Sequence, residues 1–104
     1  MLSSLIATVD SPTDKELIIQ LYNTYKQFMY NISMSILGKR EDAEDAVQDS
    51  FVRIIDNLDK INNPYSRKTK SYITVITKNV CLDMIRRNHN DEELEDKDIP
   101  FKDN

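Results

Sequence analysis

Glycine is almost missing from this chain: Gly38 stands alone among 104 residues, with only three prolines beside it. Hairpins and many-turned β-folds need turn-forming residues at short intervals, so this scarcity argues for long helices and against an all-β fold. Tryptophan is absent, and there is one cysteine, Cys81, and one histidine, His89. A single thiol cannot close an intramolecular disulfide, and one thiol with one imidazole offers no metal-ligand spacing. No cofactor and no metal are expected. Long apolar runs are also lacking, and residues 1–10 carry no basic segment ahead of an apolar stretch. Neither a membrane span nor a secretory signal is read, and cytoplasm is the expected location. There is no glycine-rich phosphate loop, and His89 follows Arg86, Arg87 and Asn88 without a nucleophile or acid to partner it, so an enzyme is not expected.

What the chain does have is charge, sorted by segment. With 39% hydrophobic and 31% charged residues it falls in the ordinary globular range. Its length suits one domain whose core buries roughly two-thirds of the surface of the unfolded chain. The net charge of −4 hides a segregation: residues 41–59 hold seven acids against one base, residues 60–89 seven bases against one acid, and residues 90–104 seven acids against two bases. Exposed charges act over a Debye length, roughly 8–10 Å, so the basic block can meet phosphates although the whole chain is acidic. The acidic block before it asks for a basic partner.

Three apolar stripes at helical spacing organise the chain. From Asp14 to Leu37 apolar residues recur at Leu17, Leu21, Tyr25, Phe28, Ile32 and Ile36, widened by Ile18, Tyr22 and Met29, which predicts a helix of several turns. Thr13 or Asp14 could accept its first free N–H groups, Pro12 lies just upstream, and Gly38 stands where a left-handed cap is wanted. From about Asp42 to Leu58, Ala43, Ala46, Val47, Phe51, Ile54, Ile55 and Leu58 share one face, with Glu41, Glu44, Asp45, Gln48, Asp49 and Asp56 away from it. This predicts an acidic amphipathic helix, and acids near its start also suit the positive end of the helix dipole. Residues 59–68 include Asn62, Asn63 and Pro64 and are read as a basic loop carrying Tyr65. From about Thr69 to Asn88, Tyr72, Ile73, Ile76, Val80 and Met84, flanked by Val75, Leu82 and Ile85, predict a third helix bordered by Lys70, Lys78, Arg86 and Arg87. Its β-branched run Ile73–Thr77 also suits a strand, but the helical spacing continues past it. The expected fold is all-α, a compact bundle of three main helices over residues 14–90. An N-terminal extension, 1–13, precedes it, and a charge-dense acidic linker or tail, 91–104, follows.

An acidic helix, a basic aromatic-bearing loop and a helix with a basic edge form a pattern suited to recognition. Single strands are held in cationic grooves with aromatic platforms on which bases stack at about 1–3 kcal/mol each; Tyr65 and Tyr72 beside Arg67, Lys68 and Lys70 have that character. Lys78, Arg86 and Arg87 could hold phosphates, and Asn79 could read a base edge through paired hydrogen bonds. The same residues admit plainer roles: a solvated helix edge, Tyr72 in the core, Asn79 as a surface amide. A helical adaptor that binds a basic partner through its acidic helix, with no nucleic-acid role, is the alternative. Steep salt dependence of single-strand binding separates the two.

The segment Asp42-Ala43-Glu44-Asp45-Ala46-Val47-Gln48-Asp49-Ser50-Phe51-Val52-Arg53-Ile54 resembles the DAEDLVQ-x-x-F-L-x-L pattern of bacterial RNA polymerase sigma factors, in the extracytoplasmic-function (ECF) group of the sigma-70 family. It is followed by Tyr72-Ile73-x-x-Ile76-x-x-Asn79-x-x-x-Asp83-x-x-Arg86-Arg87, similar to that group's W-L-x-x-I-x-x-N-x-x-x-D-x-x-R-R. Leu21-Tyr22-x-x-Tyr25 and Phe28 through Gly38 fit the helix that begins the domain, so the resemblance covers residues 17–88. It implies the group's second conserved region, a non-enzymatic transcription initiation domain. By this resemblance Asp45, Gln48, Asp49, Val52 and Arg53 would dock on the clamp helices of the polymerase beta-prime subunit, with Phe51 either joining them or lying in the core. Loop 60–71 would receive a base extruded from the non-template strand of the promoter minus-ten element. Asn79, Arg86 and Arg87 would contact that element, and Asp83 would pair with Arg86 or Arg87. Core polymerase and promoter DNA are the implied partners, with an anti-sigma factor as a further one. Tyr72 stands where the group has Trp. Members of the group continue through a linker into a helix-turn-helix domain, which residues 1–104 do not contain.

Overall fold

The computed structural model describes residues 2–7 and 9–92, with side chains up to Asn88. Among them the chain forms helices α1 (Leu2–Ile6), α2 (Pro12–Leu37), α3 (Arg40–Asp56) and α4 (Arg67–Glu92), a 3-10 turn at Leu58–Lys60, and no strand. The fold is all-α: α2, α3 and α4 pack against one another around one core. Along α2, Ile18, Leu21, Tyr25 and Met29 recur every three or four residues and are buried. The stripe ends at Ser33, also buried, whose hydroxyl donates to Met29 O at 2.8 Å and is satisfied inside the helix. Gly38 then stops the helix at φ 77°, its N–H donating to Met34 O at 2.9 Å. A residue with a Cβ is strained in this left-handed geometry, which explains the chain's single glycine. Gly38 and Lys39 alone join α2 to α3, so the two helices fold back on each other as an antiparallel pair.

On α3, Ala43, Ala46, Val47, Ser50, Phe51 and Ile54 turn inward. The Phe51 ring is wholly buried, with its centroid 5.2 Å from that of Tyr22 on α2. From α4 come Ile73, Ile76, Val80, Cys81 and Met84; Leu58 and Ile61 close the core from the turn after α3, and Leu5 of α1 is buried against it. Each buried leucine, isoleucine, valine, phenylalanine or methionine among them contributes about 1.5–3 kcal/mol by leaving water.

The structure moves several boundaries. The cap of α2 is Ser11, not Thr13 or Asp14: its Oγ accepts the Asp14 N–H at 3.3 Å, and Pro12 enters the first turn, where its missing donor costs nothing. Helix α3 starts at Arg40 rather than Asp42 and ends at Asp56, because Asn57 donates its amide to Arg53 O at 2.9 Å and Leu58 passes into the 3-10 turn. Helix α4 starts two residues before Thr69, since Ser66 Oγ accepts the Thr69 N–H at 3.2 Å. It runs on to Glu92, so the first two residues of the tail expected at 91–104 are helical, and the rest of it, 93–104, lies outside the described residues. In the run that also suited a strand, Thr74 and Thr77 donate their hydroxyls to Lys70 O and Ile73 O at 2.7 and 2.8 Å, spending them inside the helix. Val75 and Leu82, read as flanks of the apolar face, are 55% and 40% exposed.

Candidate functional site

Between Ile61 and Ser66 the backbone is irregular, yet its polar groups are tied down. Asn63 Oδ1 accepts the Tyr65 N–H at 2.9 Å, an Asx turn. Asn63 O accepts the Thr69 hydroxyl at 2.6 Å, and the next carbonyl, of Pro64, accepts the Tyr25 hydroxyl from α2 at 2.7 Å. The loop is therefore held by both α2 and α4. Between it and the first turns of α4 opens a cleft of about 970 Å³, bordered by Lys60, Asn62, Asn63, Lys68, Tyr72 and Val75, with Asp59 also on its lining. Tyr72 and Val75 offer apolar surface to a ring, the asparagines offer amides to a base edge, and the two lysines offer charge to phosphates. Asp59 opposes that charge.

Lys68, Tyr72, Val75, Asn79, Leu82 and Arg86 follow one another along α4 at spacings of three or four and share the face opposite Ile73, Val80 and Met84. Tyr72 is half-buried and the other five are exposed. At about 1.5 Å per residue, Asn79 lies roughly 10 Å and Arg86 roughly 21 Å along the helix from Tyr72. The structure thus brings Lys68 and Tyr72 to the cleft and continues their face with Asn79 and Arg86. Lys70 turns elsewhere, its Nζ 4.9 Å from the Phe28 ring centroid on α2. Tyr65 and Arg67 are exposed but do not line the cleft. Lys78 and Arg87 are each about 100° around the helix from the neighbouring stripe residue.

On α3, Asp45, Asp49 and Val52 are exposed and Gln48 is half-buried, all outside the core face. Phe51, left open between docking and core, is a core residue. Arg53 is exposed but engaged: its guanidinium donates to Asp83 Oδ2 on α4 at 2.8 Å, while Arg86 reaches Asp83 Oδ1 at 2.9 Å. The expected pairing of Asp83 with Arg86 is present, and its second partner is Arg53 from the neighbouring helix rather than Arg87. Hydrogen bonding from Arg53, together with the charges of Arg53, Arg86 and Arg87, holds the Asp83 carboxyl below the ordinary carboxylate range.

These two faces lie in a segment that a known family shares. The model of sigma-70 region 2 matches residues 21–90, which take in α2 from Leu21 onward, the whole of α3 and the cleft, and α4 as far as Asn90. The chain belongs to the sigma-70 region 2 family. It is 26% identical over 89 residues to the RNA polymerase sigma factor SigV of Bacillus subtilis, covering 86% of this chain and 52% of that protein. To the ECF RNA polymerase sigma factor SigW of the same organism it is 28% identical over 82 residues, covering 79% of this chain and 43% of that protein. The chain spans about half the length of these curated relatives. No solved structure matches it.

In this region 2 domain, sequence reasoning missed what tertiary contact makes: Tyr25 and Thr69 as anchors of the loop, and Val75 as part of the cleft. Val75 did carry a signal, since the three- and four-residue spacing of Lys68, Tyr72, Val75, Asn79, Leu82 and Arg86 is itself the mark of one helix face. Among the described residues no cluster of His, Cys, Asp and Glu could hold a metal ion, and no helix is long and apolar enough to cross a membrane. Burial pushes the Cys81 thiol up, partly offset by a hydrogen bond with Ser33, so it is no reactive thiolate.

Proposed function

We propose that this chain is the polymerase-docking and promoter-opening region of a transcription initiation factor. The outward face of α3, with Asp45, Gln48, Asp49, Val52 and Arg53, docks on the beta-prime clamp helices of core polymerase. The cleft and the α4 face hold the non-template strand of the minus-ten element. One base leaves the stack and enters between Tyr72, Val75 and the Asn62–Asn63 turn, Lys60 and Lys68 meet its flanking phosphates, and Asn79 and Arg86 contact the strand further along. Tyr65, Arg67, Lys70, Lys78 and Arg87 add positive field around that path. Extruding a base costs a few kcal/mol, which stacking at about 1–3 kcal/mol per base and charge-assisted phosphate contacts offset, with polymerase docking adding the remainder.

The observation that supports this reading best is the lysine-flanked cleft, lined by Tyr72, that continues into an exposed stripe on the same helix carrying Asn79, Leu82 and Arg86. The test is fluorescence anisotropy with single-stranded minus-ten oligonucleotides across a salt series, paired with capture of core polymerase. Binding should prefer one sequence and weaken steeply with salt, Asn79→Ala should reduce oligonucleotide affinity, and Asp49→Arg should reduce polymerase capture. Binding that ignores sequence and salt, with both variants at wild-type level and correctly folded, refutes the reading and leaves the adaptor alternative.

A further inference from the structure

We infer that Tyr25, which stands outside the cleft, is a positioning residue that fixes the loop wall against which the extruded base is read; this rests on the function proposed above. The Tyr25 ring belongs to the core, 5% exposed and edge-on to Phe28 at 6.4 Å. Its hydroxyl leaves that core to donate to Pro64 O at 2.7 Å, across 39 residues of sequence. Proline has no N–H, so this carbonyl is the only backbone group through which Pro64 can be held. Two successive carbonyls of the loop are thus clamped from two different helices: Asn63 O by Thr69 of α4 and Pro64 O by Tyr25 of α2. Beside them Lys70 packs over Phe28, joining α4 to α2 at the same level. Burial, and the neighbouring Tyr65, hold the Tyr25 phenol above its ordinary range, which favours the protonated, donating form.

Asn62 and Asn63 form the loop side of the cleft, while Lys68, Tyr72 and Val75 come from the helix side. A rigid helix needs no help to present its side chains, whereas an irregular loop presents its own only if something fixes it. With the Tyr25 hydroxyl removed, the loop keeps its clamp to α4 and loses the one to α2. Ordering it against a base then becomes a cost of binding rather than of folding.

The experiment compares the wild-type chain with Tyr25→Phe, which keeps the ring and deletes one oxygen that touches no ligand. Anisotropy is read with single-stranded minus-ten oligonucleotides, intact or abasic at one position in turn; the position whose loss weakens the wild type most marks the extruded base. Tyr25→Phe should bind the intact strand about fivefold more weakly and lose most of the difference between intact and abasic strands. Its salt slope, which counts phosphate contacts, should stay at the wild-type value, and its circular dichroism should be unchanged. A merely structural tyrosine would lower thermal stability and leave the discrimination intact, and that result overturns the inference alone. A wild type that does not distinguish the strands overturns the proposed function and this inference with it. If Tyr25→Phe does not fold in plain buffer, the same comparison is made for both proteins with trimethylamine N-oxide added until the circular dichroism of the variant matches wild type, with retained discrimination again refuting the role of the Tyr25 clamp.

Discussion

Replacing Phe51 by alanine tests where α3 stops being core and starts being docking surface. Phe51 and Val52 are adjacent in sequence, and about 100° of helical rotation separates their fates: Phe51 is fully buried against Tyr22, while Val52 is 45% exposed. Deleting a buried phenylalanine ring costs about 3–5 kcal/mol, the transfer loss plus the cavity left behind. A domain of this size has a total stability of roughly 5–15 kcal/mol, so about a fifth of it or more is at stake. With a urea m-value of about 1–2 kcal/mol/M, the midpoint should fall by at least about 1.5 M at unchanged m. The assay is urea unfolding followed by far-UV circular dichroism, run beside capture of core polymerase. Val52→Ser should stay within about 0.5 kcal/mol of wild type in urea and still lose capture. If Phe51→Ala costs less than about 1 kcal/mol and acts on capture alone, the ring belongs to the interface and this account of α3 is wrong.

Other perturbations follow from single contacts. Gly38→Ala should cost about 1–2 kcal/mol from backbone strain alone, because an added Cβ there meets nothing within 4 Å; Gly38→Asn should cost less, and equal melting temperatures for the alanine variant and wild type would contradict the cap. Ser11→Ala should lower stability by about 0.5–1 kcal/mol in the same melts, and no loss would show that the 3.3 Å bond to Asp14 N contributes nothing. The Asp83 carboxyl is held below the ordinary carboxylate range, so the stability it adds is complete above that range and disappears as pH falls through the lowered value. Asp83→Asn should therefore trail wild type by under about 1 kcal/mol at pH 7, small because the pair is exposed, and the gap should close in acid; a gap that widens in acid has the wrong sign.

The helices were legible because their evidence is local. The recurrence of Leu21, Tyr25 and Met29, or of Val47, Phe51 and Ile54, is a periodicity along one segment, and each stripe found its core. Boundaries were less so, since a cap is decided by one hydroxyl among several candidates: Ser11 rather than Thr13, and Ser66 ahead of Thr69. The loop was legible as a basic, aromatic-bearing segment but not as one wall of a cleft, because the bonds that shape it join residues far apart. Nothing in the sequence around Tyr25 or Pro64 announces that they meet. The nucleic-acid candidates divided along the same line: Lys68, Tyr72, Asn79 and Arg86 share a face by helical arithmetic alone, whereas the turn of Lys70 towards Phe28 depends on where α2 lies.

The segregation of charge takes on a structural meaning once α3 and α4 are seen side by side. Arg53 is the one base among residues 41–59 and Asp83 the one acid among residues 60–89. Among the described residues, the ion pair that crosses between α3 and α4 joins these two minority charges. The neighbouring helices therefore do not neutralise each other: apart from Glu44, paired with Arg40, Lys70, which lies over Phe28, and Arg86, which Asp83 also holds, most acids of α3 and bases of α4 stay available to partners of opposite sign. Were the cross-helix contacts made by the majority charges, the same net charge would leave two neutral faces with little to attract either a basic protein surface or a phosphate backbone. Asp83 also holds Arg86, so its neutralisation frees a cation on the α4 stripe while removing a link to α3. Asp83→Asn should consequently lose a little stability yet bind single-stranded DNA at least as tightly as wild type at low salt. Weaker binding in a folded Asp83→Asn variant would mean instead that Arg86 needs Asp83 to aim it at the strand.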